Sequence, residues 1–117
     1  MHREAIAASG KILDSMPDST LGLTEMAYSL AVAGQQKEAR RILRRLEGRS
    51  TSSYVPAYNF AIIHIALNEE EAAMRYMQQA FENRDWALVV LAVEPRLDPL
   101  RNDPRFREIL TRLKLPL

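Results

Sequence analysis

The chain has 117 residues, 47% of them hydrophobic and 26% charged, with 16 basic against 15 acidic side chains and a formal net charge of +1. That suffices for one domain with a core of ordinary composition, and it excludes a general polyanion-binding surface, so any basic site has to be local. Cysteine is absent, which excludes disulfides, thiolate metal ligands and a cysteine nucleophile.

In chain order, residues 2–17 read as a helix that closes at Pro17. From Thr20 to Ala33 the apolar residues Leu23, Met26, Ala27 and Leu30 recur at three- and four-residue steps, one face of a second helix. Gly34 supplies the backbone freedom to stop it. A third helix is expected to run to about Glu47, with Ala39, Ile42, Leu43 and Leu46 on one face, ended by Gly48 and the polar run from Ser50 to Ser53. Helices joined by so short a turn lie antiparallel and pack on each other.

The next stretch repeats the pattern. Pro56 suits a first helical turn, and Phe60, Ala61, Ile63, His64 and Leu67 follow. Asn68 takes the place of Gly34, since asparagine also tolerates a left-handed backbone at a helix end. Glu69, Glu70 and Glu71 crowd the first turn of the following helix, where carboxylates favour the positive end of its dipole. Ala73, Tyr76, Met77, Ala80 and Phe81 make its buried stripe. Beyond Arg84 the regularity relaxes: Asp85 caps a short helix from Trp86 to Ala92, apolar nearly all round and expected to be buried. Asp98-Pro99 and Asp103-Pro104 read as two helix starts, each an acid at the N-cap with proline next. The last helix, from Pro104 to about Leu113, carries Phe106, Ile109, Leu110 and Leu113 on one side and Arg105, Arg107, Glu108, Arg112 and Lys114 on the other.

Matching positions recur every thirty-four residues: Ala5, Ala39 and Ala73; Ala27 and Ala61; Leu43 and Met77; Gly34 and Asn68. Such a period marks stacked helical hairpins. With Leu23, Met26-Ala27 and Leu30 followed by Ala39 and Leu43, then Ala57, Phe60-Ala61 and His64 followed by Ala73 and Met77, the chain resembles the tetratricopeptide repeat family. The resemblance implies an all-α fold: an α-solenoid of antiparallel hairpins wound as a right-handed superhelix. The expected organisation is one domain over 1–117, with the second helix of a partial repeat at 2–17, full repeats at 20–51 and 54–84, and a capping segment at 85–117. A leading half-repeat leaves one face open, so the chain is expected to be the C-terminal piece of a longer protein, or to pair with another copy through that face. The tail, Glu94-Pro95-Arg96-Leu97-Asp98-Pro99-Leu100-Arg101-Asn102-Asp103-Pro104-Arg105-Phe106, is similar to a C-terminal tetratricopeptide region of bacterial signalling proteins, where it follows a winged-helix, nucleotide cyclase or protein kinase domain. A regulatory or scaffolding module is what that similarity implies.

In this repeat class the first helix of each hairpin lines a concave surface. The outward positions are then Leu21, Thr24, Tyr28, Ala31 and Val32, followed by Val55, Tyr58, Asn59, Ile62 and Ile65. Thr24, Tyr28, Val55, Tyr58, Asn59, Ile62 and Ile65 are the candidate partner-binding residues, two tyrosines among aliphatics suiting an apolar or extended peptide. The competing reading is that these residues pack against the C-terminal segment or a missing N-terminal repeat. Only Asn59 is suitably polar for gripping a peptide's terminal carboxylate, so no carboxylate clamp is expected. Lys37, Arg41 and Arg45 fall at four-residue steps with Arg40 and Arg44 beside them, a basic patch read first as a solvated outer face and second as a phosphate-binding stripe.

Two histidines, His2 and His64, are too few for a metal centre, and His64 is expected to be a hydrogen-bonded core residue. No phosphate loop, nucleophile elbow or zinc signature occurs, so no catalysis, cofactor or metal is expected. The longest apolar stretch, Trp86 to Val93, is far short of the roughly 20 residues of a membrane span, and the first residues lack the apolar core of a signal peptide. The expected setting is the cytoplasm, the periplasm remaining open, with a protein or peptide as partner, no membrane, and nucleic acid disfavoured. The alternatives are a small-ligand sensor whose pocket forms where Tyr28, Tyr58 and Trp86 converge, and a self-association module.

Overall fold

The structure is a computed structural model that describes residues 2–16, 19–49, 55–84 and 94–113. It is all-helical, with no strand among the described residues. The elements are α1 (His2–Ser15), α2 (Thr20–Val32), α3 (Gln36–Arg49), α4 (Ala57–Ala66), α5 (Glu70–Asn83), a 3-10 helix (Pro95–Leu100) and α6 (Pro104–Arg112). They group into two units, Met1–Val55 and Pro56–Leu117.

In the first unit α2 packs on both α1 and α3. Ser19 starts α2 as its N-cap, the hydroxyl accepting a bond from the Gly22 N–H at 3.0 Å. Leu23, Ala27 and Leu30 of α2 are buried, as are Ala39, Leu43 and Leu46 of α3. The alanines Ala27 and Ala39, both at 0% exposure, allow the close approach that larger side chains would prevent. α1 also comes close to α2, at Gly22: a Cβ there would lie 2.9 Å from Ile12 Cγ2 and 3.0 Å from Leu13 Cδ2. At the far end of the hairpin, Arg49 Nη1 donates to Thr20 Oγ1 at 3.1 Å, tying the end of α3 to the start of α2.

The turn between α2 and α3 follows from one residue. Gly34 has φ of 89°, in the left-handed region. That conformation lets the Gln35 N–H reach back to the Leu30 carbonyl at 2.8 Å and the Gly34 N–H to that of Ala31 at 3.1 Å. These two bonds satisfy carbonyls the helix end would otherwise leave open.

The second unit builds its hairpin in the same way. Asn68 has φ of 63°, the Glu69 N–H donates to the His64 carbonyl at 2.9 Å, and the Asn68 N–H to Ile65 at 3.0 Å. α4 packs on α5 and on the 3-10 helix, and α6 packs on α5. Ala61 and Ala73 are fully buried, as Ala27 and Ala39 are. Phe106 of α6 is buried with Leu97 and Leu100 of the 3-10 helix, and burying a side chain of that size stabilises by about 1.5–3 kcal/mol.

Several boundaries differ from the sequence-based expectation. Gly48 lies inside α3, which continues to Arg49; a single glycine costs a helix only about 1 kcal/mol and does not by itself stop one. Pro56 sits at the N-cap of α4, one place before the first turn. Asp98-Pro99 starts no helix: it lies inside the 3-10 helix, which instead begins at Glu94-Pro95. The carboxylate of Glu94 takes the capping role, accepting from the Arg96 N–H at 3.4 Å. Asp103-Pro104 does start α6, with Asp103 accepting from the Arg105 N–H at 2.8 Å. The expectations for Pro17, for Ser50 to Ser53 and for the helix from Trp86 to Ala92 fall outside the described residues.

Candidate interaction surfaces

Most of the expected partner-binding residues are buried. Thr24, Val55, Tyr58, Ile62 and Ile65 are buried, with Thr24 and Ile62 at only 2% exposure, while Tyr28 and Asn59 are half-buried. The first five thus expose little surface, against the outward placement expected from the repeat. Thr24 lies on α2, which packs on both α1 and α3, and its hydroxyl is satisfied within the helix, donating to the Thr20 carbonyl at 2.8 Å. For α4 the reason is composition. Ala57-Tyr58-Asn59-Phe60-Ala61-Ile62-Ile63-His64-Ile65-Ala66 is apolar on every side, and such a helix is buried all round. The 3-10 helix packs against it, and Ile65 shares a small recess with Pro99 and Leu100. This agrees with the competing reading, in which the C-terminal segment covers α4.

The most exposed of the outward positions lie on α2. Leu21, Glu25, Tyr28 and Val32 recur at four-, three- and four-residue steps and form one stripe. Leu21 is 62% exposed and Val32 38%. Large apolar side chains with this much exposure are few among the described residues, Met16 at 59% being the other. Leu21 and Val32 stand at outward positions but outside the expected partner-binding set, and their apolar character at that register is the signal that marks them.

The basic patch lies on α3 of the same unit. Lys37, Arg41, Arg44 and Arg45 are exposed, and Arg41 Nη1 lies 3.4 Å from Glu38 Oε2. That pair, open to solvent on both sides, contributes little to stability.

His64 is a core residue. Its Nδ1 lies 2.8 Å from Glu69 Oε1, and its ring stacks on Tyr76 at 5.3 Å, which in turn stacks on Phe60 at 5.1 Å. Glu69 is thus more than a dipole partner, binding back across the turn to the helix before it. Glu71, in the first turn of α5, bonds Arg105 of α6 through both oxygens at 2.9 and 3.1 Å. Neither link is readable from one helix alone.

The tail holds itself together with paired charges. Arg96 bonds Glu94 through Nη2 at 2.7 Å and Nε at 3.0 Å. Arg101 bonds Asp98 at 3.0 Å and the Glu94 carbonyl at 2.9 Å, and its guanidinium lies 5.9 Å from the centre of the Phe106 ring. Arg105 bonds Asp103 at 2.8 Å. The Arg105 side-chain bond holds the Asp103 carboxyl below its ordinary value, against the opposing effect of burial, and also lowers Glu71. The guanidinium itself is raised, first by Asp103 and then by Glu71. Of these charges, Arg105 ties the start of α6 to α5 through Glu71, while the pairs around the 3-10 helix are local to it.

Between α5 and α6 runs an open groove of about 560 Å³, with Phe81, Pro104 and Ile109 set among Glu82, Arg105 and Arg112. The pocket of the sensor alternative needs Trp86, which lies outside the described residues. Among the described residues no three histidine, aspartate or glutamate side chains group as metal ligands, and no helix is long and apolar enough to cross a membrane. No protein-family model, curated protein or solved structure matches this chain.

Proposed function

We propose that the chain is a non-catalytic protein-interaction module, a tetratricopeptide-like scaffold serving as the C-terminal regulatory part of a larger bacterial signalling protein. The reading is supported by two hairpins that repeat one turn geometry and one pattern of buried alanines at a thirty-four-residue offset. The observation that carries it is the stripe of Leu21, Tyr28 and Val32 on α2. Two of these apolar side chains remain well exposed on a helix whose other sides are packed. A rigid helix offering apolar side chains at regular steps suits a peptide or partner helix, because little ordering entropy is lost on binding. The binding face of this reading is thus narrower than the concave surface expected from the repeat, and it is centred on α2.

Affinity capture with the intact parent protein tests it, comparing wild type with the double variant Leu21→Asp, Val32→Asp. Both positions are accessible, so the melting temperature is expected to stay within a few degrees of wild type. A partner retained by wild type and lost by the variant supports the proposal. Equal capture by both excludes this stripe as the binding face.

A further inference from the structure

We infer that α1 pairs with α1 of a second copy of this chain, antiparallel and about a two-fold axis, through a face it does not use against α2. α1 packs on α2 with Ser9 buried. Elsewhere on its surface Arg3, Ala7, Gly10 and Asp14 follow at four-, three- and four-residue steps and form one line along the helix. Arg3, Ala7 and Asp14 are exposed and Gly10 is half-buried. Glu4 and Lys11, both exposed, flank this line on one side. Ile6 and Leu13, both only half-buried, flank it on the other.

This face is its own complement. A second copy turned end for end, with the axis midway between Ala7 and Gly10, sets Arg3 level with that copy's Asp14 and Ala7 level with its Gly10. The two-fold axis repeats both contacts, as an isologous interface requires. On one flank Glu4 comes within about 3 Å of axial register with the second copy's Lys11, a gap long side chains bridge. On the other flank Ile6 stands in the same relation to the second copy's Leu13. Opposite charges thus meet at both ends and along one edge, and apolar side chains meet along the other. Parallel pairing would set Arg3 against Arg3 and Asp14 against Asp14, so the charges select the direction as well as the occupant.

Gly10 supports the assignment independently of the charges. Glycine inside a helix is unfavourable relative to alanine, so its presence there calls for a packing reason. Gly22 has one within the chain, since a Cβ would press on Ile12 and Leu13 at 2.9 and 3.0 Å. At Gly10 a Cβ would make only an ordinary contact, with Met26 Cε at 3.8 Å. Facing Ala7 of a second copy, the bare backbone of Gly10 lets the two helices approach closely. The line from Arg3 to Asp14 runs about 16 Å, three turns of helix. One short helix laid on another buries less than a standard interface, so the association is weak and reversible.

Sedimentation velocity on the whole chain, at concentrations up to about 1 mM to reach a weak interface, tests the pairing. Wild type is expected to form dimers, fewer as salt rises. Arg3→Glu and Asp14→Arg, each alone, are expected to associate about tenfold or more weakly, because like charges then meet at both ends of the pair. Each substitution suits its end of the helix dipole, so neither is expected to lower helicity. Mixed in equal amounts, the two variants are expected to regain wild-type association, since the mixed pair restores both end contacts. Leu21→Asp, Val32→Asp is expected to dimerise as wild type does, which separates this interface from the α2 stripe. Wild type monomeric throughout, a single-charge variant dimerising as wild type, a mixture no stronger than its components, or loss of dimers in the α2 variant would each overturn the inference.

Discussion

Gly34 and Asn68 hold the same left-handed backbone thirty-four residues apart, with φ of 89° and 63°, and each closes its helix with the same two carbonyl bonds. The two hairpins therefore turn by one mechanism built from two different residues. A Cβ at Gly34 would meet nothing within 4 Å, so a larger residue there is opposed by backbone conformation alone. Gly34→Ala and Asn68→Ala should each lower stability by about 1 kcal/mol, whereas Asn68→Gly should change it by less than about 0.5 kcal/mol. Urea unfolding midpoints at constant slope measure all three. An Asn68→Ala variant as stable as wild type would show that the turn does not depend on that conformation.

Gly22 is the contact on which α1 rests. Its absent side chain leaves room for Ile12 and Leu13, whose tips would lie at or under 3.0 Å from a Cβ. Both tips belong to flexible side chains, and alanine favours helix over glycine, so Gly22→Ala should shift stability by less than about 1 kcal/mol in either direction. Gly22→Leu cannot be accommodated by moving those tips and should cost about 1–3 kcal/mol. Hydrogen exchange should then show α1 amides exchanging faster while those of α5 and α6 keep their protection.

Acid should loosen the C-terminal tail through Asp103. The Arg105 guanidinium bonds this enclosed carboxylate and holds it below its ordinary value of 3.8, and also holds the exposed Glu71 below 4.5. A carboxyl whose folded pKa is depressed contributes stability that is complete above its ordinary value and is lost as pH falls through the folded one. Melting temperature should therefore vary little with pH near neutrality and fall below about pH 4. Arg105→Gln should lie below wild type at pH 7 and approach it as pH drops, because acid removes from wild type what the variant already lacks. Parallel curves down to pH 3 would contradict this.

The helices were legible where a local rule is enough. Gly34, Asn68 and Asp103 each act through the nearest turn of backbone, and the positions of Ala27, Ala39, Ala61 and Ala73 follow from periodicity alone. What could not be read was which outward face remains open. Tyr58, Ile62 and Ile65 stand at positions that a repeat pattern assigns to the surface, yet α4 has almost no polar residue with which to meet water. That apolar composition was visible, and it outweighed the register assigned by analogy. The pairing of Glu71 with Arg105 joins elements distant in sequence, and no local signal marks it. Asp98-Pro99 misled because the same dipeptide that opens α6 at Asp103-Pro104 is held inside a 3-10 helix, where Asp98 bonds Arg101 instead of capping.

Site-specific photocrosslinking asks whether the proposed partner meets α2. A photoreactive side chain placed in turn at Leu21, at Val32 and at Gln79, an exposed residue of α5, is irradiated in cells that express the protein. The expected result is one covalent protein adduct formed from Leu21 and from Val32 and none from Gln79. Adducts from all three positions alike, or from Gln79 alone, would contradict the assignment.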